Sequence, residues 1–195
     1  MINEKVKVGY ALTGSFCTFD RALDVAEALA ATGKYELIPI MSETTAATDT
    51  RFGTAEAFKA RFRQITGRAI IDSIVAAEPI GPQKLLDILV IAPCTGNTLG
   101  KLAGGIADSC VTMAAKAHLR NGRPLVLGIS TNDGLSGNAA NIGALLNRRN
   151  VYFIPFEQDD AIGKPSSLVA AYELAEPVID AALERVQYQP LLFKP

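Results

Sequence analysis

The run Ile88–Ala92, five apolar residues in succession closed by Pro93, constrains the fold more than any other stretch. A strand with one wet face alternates apolar and polar residues, so an unbroken run demands cover on both faces, as in a central parallel strand. Parallel strands need crossovers, and the flanking sequence supplies helical patterns for them. Lys5–Leu12, with Val6, Val8 and Tyr10 alternating, reads as a first strand running into the turn Thr13-Gly14-Ser15. Phe19–Thr32 carries Leu23, Ala26 and Ala30 at helical spacing and meets Gly33, a left-handed stop. Tyr35–Met41 is a second strand and Ser42–Gly53 a polar loop. Thr54–Thr66 is an amphipathic helix, with Ala55, Phe58, Phe62 and Ile65 on one face, ending at Gly67.

Beyond Pro93, helices are expected over Thr98–Ala103 and Ser109–Leu119, the second capped by Asp108. A strand follows at Leu125–Ile129, a helix at Ala139–Arg148, a last strand at Val151–Ile154, and a long closing helix over Ser167–Val186 interrupted at Pro177. Strand and helix thus alternate about five times. That pattern predicts an α/β chain with a parallel sheet covered by helices on both faces, in a single domain spanning 1–195.

Several function classes drop out. With 19 Lys and Arg against 20 Asp and Glu, the chain has no excess of cations for a phosphate backbone, so no nucleic-acid partner is expected. The longest apolar stretch, Leu85–Pro93, contains Asp87 and falls far short of the ~20 residues that span a bilayer. The N-terminus runs straight into a strand pattern, so neither a signal peptide nor a membrane anchor is expected, and the location is read as cytoplasmic. Cys17, Cys94 and Cys110 are unevenly spaced and His118 is the single histidine, which matches neither a disulfide framework nor a metal site.

In an open parallel sheet, ligands bind at the carboxyl ends of the strands. Four loops must lie there. Thr13-Gly14-Ser15-Phe16-Cys17 has one glycine for a sharp turn and opens a helix, which suits a single phosphate; it lacks the further glycines a dinucleotide pyrophosphate needs, and a plain βα turn is the competing reading. Ser42-Glu43-Thr44-Thr45 offers hydroxyls to a phosphate monoester, whereas Glu43 would suit a ribose instead. Pro93-Cys94-Thr95-Gly96-Asn97-Thr98 leads from the buried strand into a helix of small residues, which lets a backbone or flat ring approach closely. Ile129-Ser130-Thr131-Asn132-Asp133-Gly134-Leu135 is the fourth.

The third loop resembles the superfamily of flavin-containing cysteine decarboxylases and flavin prenyltransferases, whose members read P-x-S-A-N-T-x-A-K-x-A-x-G-I-A-D. Pro93, Asn97, Thr98, Lys101, Ala103, Gly105, Ile106, Ala107 and Asp108 match, Thr95 keeps the serine hydroxyl, and Gly14-Ser15 matches after the first strand. Gly-Ser-Phe-Cys-Thr-Phe, Ala-Pro-Cys-Thr-Gly-Asn-Thr and Ser-Thr-Asn-Asp-Gly-Leu together are similar to the family of dipicolinate synthase B subunits. The resemblance implies a Rossmann-like, flavodoxin-like three-layer sandwich and a homo-oligomeric flavoprotein with FMN near subunit contacts. Gly14, Ser15 and Ser42 would hold the FMN phosphate, and Pro93, Thr95, Asn97 and Thr98 would border the flavin or the substrate. It further implies oxidation of a partly reduced, hydroxylated dipicolinate ring to dipicolinic acid during sporulation. The chain would act with the A subunit of dipicolinate synthase, which supplies NADP, rather than alone.

Two departures separate this chain from the decarboxylases. No histidine lies between the second strand and Pro93, and the fourth loop keeps Asn132, a substrate-binding candidate, but not the decarboxylase methionines. A prenyltransferase would need clustered Arg, Lys and Tyr that are missing. A dicarboxylate needs cations, because unpaired carboxylates are costly to desolvate. Arg51, Lys59, Arg61, Arg63 and Arg68 cluster where the decarboxylase histidine would be, with Arg51 and Arg61 the first candidates for the substrate and a solvated helix face the alternative. No catalytic residue stands out; Asp133 and Cys94 are the candidates. Gly163-Lys164-Pro165 is no phosphate loop, because Pro165 stands where Ser or Thr is required. A second reading, from another class, is a non-catalytic flavoprotein-like scaffold that stabilises or positions the companion A subunit.

Overall fold

The computed structural model describes residues 4–193. Strands β1 (Val6–Leu12), β2 (Tyr35–Met41), β3 (Ile88–Cys94), β4 (Leu125–Thr131) and β5 (Val151–Phe153) pair in parallel in the order β2-β1-β3-β4-β5. This is the flavodoxin-like order, and its direction reverses between β1 and β3. Helices cover both faces. Helix α1 (Phe19–Ala31), α3 (Ala55–Thr66) and α8 (Ala175–Leu183) bury Leu23, Phe58, Phe62, Val178 and Ile179 against one face. The other face receives α4 (Ile74–Ala77), α5 (Gly96–Ala103), α6 (Cys110–Arg120) and α7 (Ala139–Leu146) through Ala77, Leu99, Leu102, Val111, Ile142 and Leu145.

The apolar run in β3 divides as the two-residue strand period requires: Ile88, Val90 and Ala92 enter the first core, Leu89 and Ile91 the second. Cys94, not residue 93, continues the second set, because the β3–β4 register shifts between Ile91 and Cys94. Pro93 therefore does not end the strand as expected; it sits in a bulge, where a residue without an N–H is tolerated inside a sheet.

Three other expectations change. Ser42–Gly53 is not all loop: Glu43–Ala47 forms a short helix, α2, capped by Ser42, whose hydroxyl accepts from the Thr45 N–H. Asp108 does not cap α6. Ser109 does, in a reciprocal capping box with Thr112, while Asp108 pairs with Lys101 at 2.8 Å, which holds its carboxyl below the usual range. The closing helix is short. Phe156–Glu157 (β6) and Leu168–Ala170 (β7) form an antiparallel pair, and β7 joins the upper end of β4 at Ser130 and Thr131. Pro177 falls in the first turn of α8, where its missing N–H leaves no helical bond unmade. The apolar segment 191–193 docks within its own chain, since Phe156 exchanges backbone hydrogen bonds with Leu191 and Phe193. No described helix is long and apolar enough to cross a membrane.

Candidate functional site

An open cleft of about 1050 Å³ lies at the carboxyl ends of β1, β3 and β4, over the point where the strand order reverses. Its floor is built from the strand ends themselves. The Thr13 hydroxyl donates to the Pro93 carbonyl at 2.8 Å and accepts from the Thr95 N–H at 3.1 Å, locking the β1 turn to the β3 turn. Gly14 and Ser15 then emerge into the cleft. A Cβ at Gly14 would meet only the Phe16 ring, at 3.7 Å, so the backbone there is open to a ligand. The Ser15 hydroxyl lies 2.7 Å from that of Ser130, which continues through Thr18 to the buried Tyr172 hydroxyl. Burial raises the Tyr172 phenol to about 12, so it stays protonated and donates.

Thr95 caps α5, accepting from the Thr98 N–H, with the two hydroxyls 3.0 Å apart. Its first turn therefore points free N–H groups at the cleft. Asn97, exposed in that turn, lines the cleft with Asn132 from the β4 loop. Gly96 is required by close approach: a Cβ there would fall 2.4 Å from the Asn138 amide nitrogen and 2.7 Å from the Thr131 hydroxyl.

Of the residues singled out from sequence, Gly14, Ser15, Thr95, Asn97, Asn132, Asp133 and Arg51 line this one cleft. Pro93 and Thr98 stand behind it and hold Thr13 and Thr95 in place. Ser42 is not at the cleft, its hydroxyl being spent on the α2 cap. Glu43 serves no ribose: its carboxylate accepts from the Cys110 N–H at 2.8 Å, at the start of α6. Arg61 is likewise elsewhere. It reaches over α1 to Asp24 at 2.6 Å, with Asp20 and Glu27 nearby, because the acids of an exposed α1 face attract it.

The catalytic candidates also change. Cys94 is fully buried outside the cleft, and burial pushes its thiol well above the ordinary value, which leaves it an inert core residue. Asp133 lines the cleft, but the Thr131 hydroxyl and Asn138 amide donate to its two oxygens at 2.5 and 2.8 Å. It holds the loop that carries Asn132. Cys17 is exposed at the cleft. His118 is buried with Nε2 2.9 Å from the Pro124 carbonyl, and burial lowers its pKa to about 4, so it is a neutral core group.

Sequence reasoning missed one wall of the cleft. The segment between β6 and β7 contributes Asp159, Lys164 and Ser167, placed there by the pairing of β7 with β4. Ser130, at the end of an apolar strand run, carried a readable signal; Lys164 carried none. Among the described residues no cluster of His, Cys, Asp and Glu could hold a metal ion.

This geometry agrees with what is found among known proteins. The family model described as Flavoprotein matches residues 2–172. The chain belongs to the Flavoprotein family. Within the Flavoprotein family it falls with the B subunit of dipicolinate synthase: it is 46% identical to that protein from Bacillus subtilis (strain 168) over 186 residues, 95% of this chain and 92% of the relative. The crystal structure of the dipicolinate synthase B subunit from Bacillus halodurans superposes with a TM-score of 0.89, at 46% identity, over 100% of this chain and 99% of that one. A dodecameric FMN-dependent UbiX-like decarboxylase from Escherichia coli O157:H7 superposes with a TM-score of 0.62, at 25% identity, over 77% of this chain and 80% of its own.

Proposed function

We propose that this chain is the flavin-binding B subunit of a dipicolinate synthase. In this reading it seats FMN in the cleft above β1, β3 and β4 and works with the companion A subunit in oxidising a partly reduced dipicolinate ring to dipicolinic acid. The observation that carries the reading is the cleft itself. It lies at the crevice where flavodoxin-like sheets take FMN, and its volume stands at the upper end of the roughly 300–1,000 Å³ usual for such ligands. The donor set suits the group. Gly14 leaves backbone room, Ser15 offers a hydroxyl to a phosphate, and Thr95 with Asn97 offers neutral polar contacts to a flat ring.

When bound, FMN would supply a two-electron acceptor for the aromatising ring. The chain's own residues bind and orient. The Thr13 bridge fixes the spacing of the phosphate turn and the Thr95 turn, and the Asp133–Asn138 bond keeps Asn132 facing the substrate side. NADP enters through the companion subunit, and the protein assembles as a homo-oligomer, a reading supported by the dodecameric state of the FMN-dependent decarboxylase that shares its fold. The fused sheet and helix layers form one domain.

Two variants test the seat. Asn97→Ala removes a side chain exposed in the cleft, and Ser15→Asp sets a negative charge where the phosphate would lie. Each is expected to weaken FMN binding at least about tenfold by fluorescence titration, with thermal unfolding unchanged. Wild-type FMN affinity in both would remove the assignment.

A further inference from the structure

Among the lining residues the cleft has two cations, Arg51 and Lys164, and they come from opposite ends of the sheet. Arg51 belongs to the connection after edge strand β2; Lys164 belongs to the loop between β6 and β7, beyond β4. Neither is on a floppy segment. Thr50 and Gly53 exchange two backbone hydrogen bonds, at 2.9 and 3.1 Å, so Arg51 and Phe52 form the tip of a tight hairpin. The tip is packed down on α3, where a Cβ on Gly53 would meet the Phe58 ring at 2.8 Å. The Lys164 loop is pinned by Lys164 N–H to the Asp160 carbonyl at 2.8 Å and by Gln158 to the Pro165 carbonyl at 2.7 Å.

The two cations differ in what they already hold. The Arg51 guanidinium stacks on the Phe52 ring, 4.9 Å from its centroid, and makes no ion pair among the described residues. Stacking uses its face and leaves its edge donors free, the fork that matches a carboxylate. The Lys164 ammonium lies 3.2 Å from Asp159, which takes part of its donor capacity and leaves the rest.

We propose that Arg51 and Lys164 are the two ends of a clamp for a planar dicarboxylate, each binding one carboxylate of a pyridine or dihydropyridine dicarboxylate held across the cleft. Arg51 gives the stronger, forked contact and Lys164 the second point that selects two carboxylates over one. The clamp rests on the function proposed above, since it deepens the substrate side of the same site. It also fits the physics of the ligand: two carboxylates entering a cleft need compensating charge at both ends.

The test uses the full chain loaded with FMN, titrated with dipicolinate and with picolinate, which has a single carboxylate. The wild type should bind dipicolinate at least about tenfold more tightly than picolinate. Lys164→Gln should bring the two ligands to similar affinity, and Arg51→Gln should weaken both by about tenfold or more, with Arg51→Lys restoring part of the loss. FMN affinity should stay within about twofold in all three variants, which also shows that they fold. Dipicolinate binding unchanged in flavin-loaded Arg51→Gln and Lys164→Gln would overturn the clamp and leave the flavin assignment standing. A wild-type chain that takes up no FMN would overturn the proposed function, and the clamp with it.

Discussion

Single residues in this chain separate into those that face the cleft and those whose polarity is spent inside the protein. His118 belongs to the second group. Its imidazole is buried against the Pro124 carbonyl with a pKa lowered to about 4 from 6.5. The unfolded chain therefore takes up a proton below about pH 6.5 that the native chain refuses until about pH 4. The stability this neutral group permits is complete above pH 6.5, falls as pH drops through that window, and is level below it, a loss on the order of 3 kcal/mol. Denaturant unfolding of the wild type should show a steeper decline between pH 6.5 and 4 than His118→Gln; parallel curves would contradict a neutral buried imidazole. The same scale shows why the sequence was only partly readable. Arg51 and Arg61 are equal as letters in one basic cluster, yet a hairpin tip carries one to the cleft and three acids on α1 capture the other.

At the scale of elements, local periodicity located β1, β2, α1 and α3 well, because each buries its own apolar face and ends at a residue whose conformation is set locally. Gly33 and Gly67 have φ values of +72° and +65°, as helix stops require. Elements whose identity depends on remote partners were not legible. Leu168–Ala170 reads as the start of a helix until β4 offers its edge, and only that pairing brings Lys164 to the cleft. The same convergence of elements governs Gly96, at the start of α5, where Thr131 at the end of β4 and Asp133 and Asn138 of the loop to α7 press their side chains against the backbone. Gly96→Ala should cost roughly 1–3 kcal/mol in chemical denaturation, because those side chains must leave their mutual hydrogen bonds to make room. A change under about 0.5 kcal/mol would show that the loop yields freely.

For the whole molecule, the sheet order places one rim of loops above the reversal between β1 and β3, and the cleft is the consequence. Fold class and the rim's chemistry were written in the apolar runs and in the Gly14-Ser15 and Thr95–Thr98 motifs. The assembly of a far wall from residues 159–169 was not, since it follows from an antiparallel addition beyond the parallel core. Whether this rim seats a flavin that works in the oxidation is tested most directly by the visible absorption spectrum of the purified chain after incubation with FMN and removal of the free cofactor. The spectrum should show a stoichiometric oxidised flavin that bleaches when a reductant is added and recovers in air. A chain that stays colourless after incubation with excess FMN would contradict it.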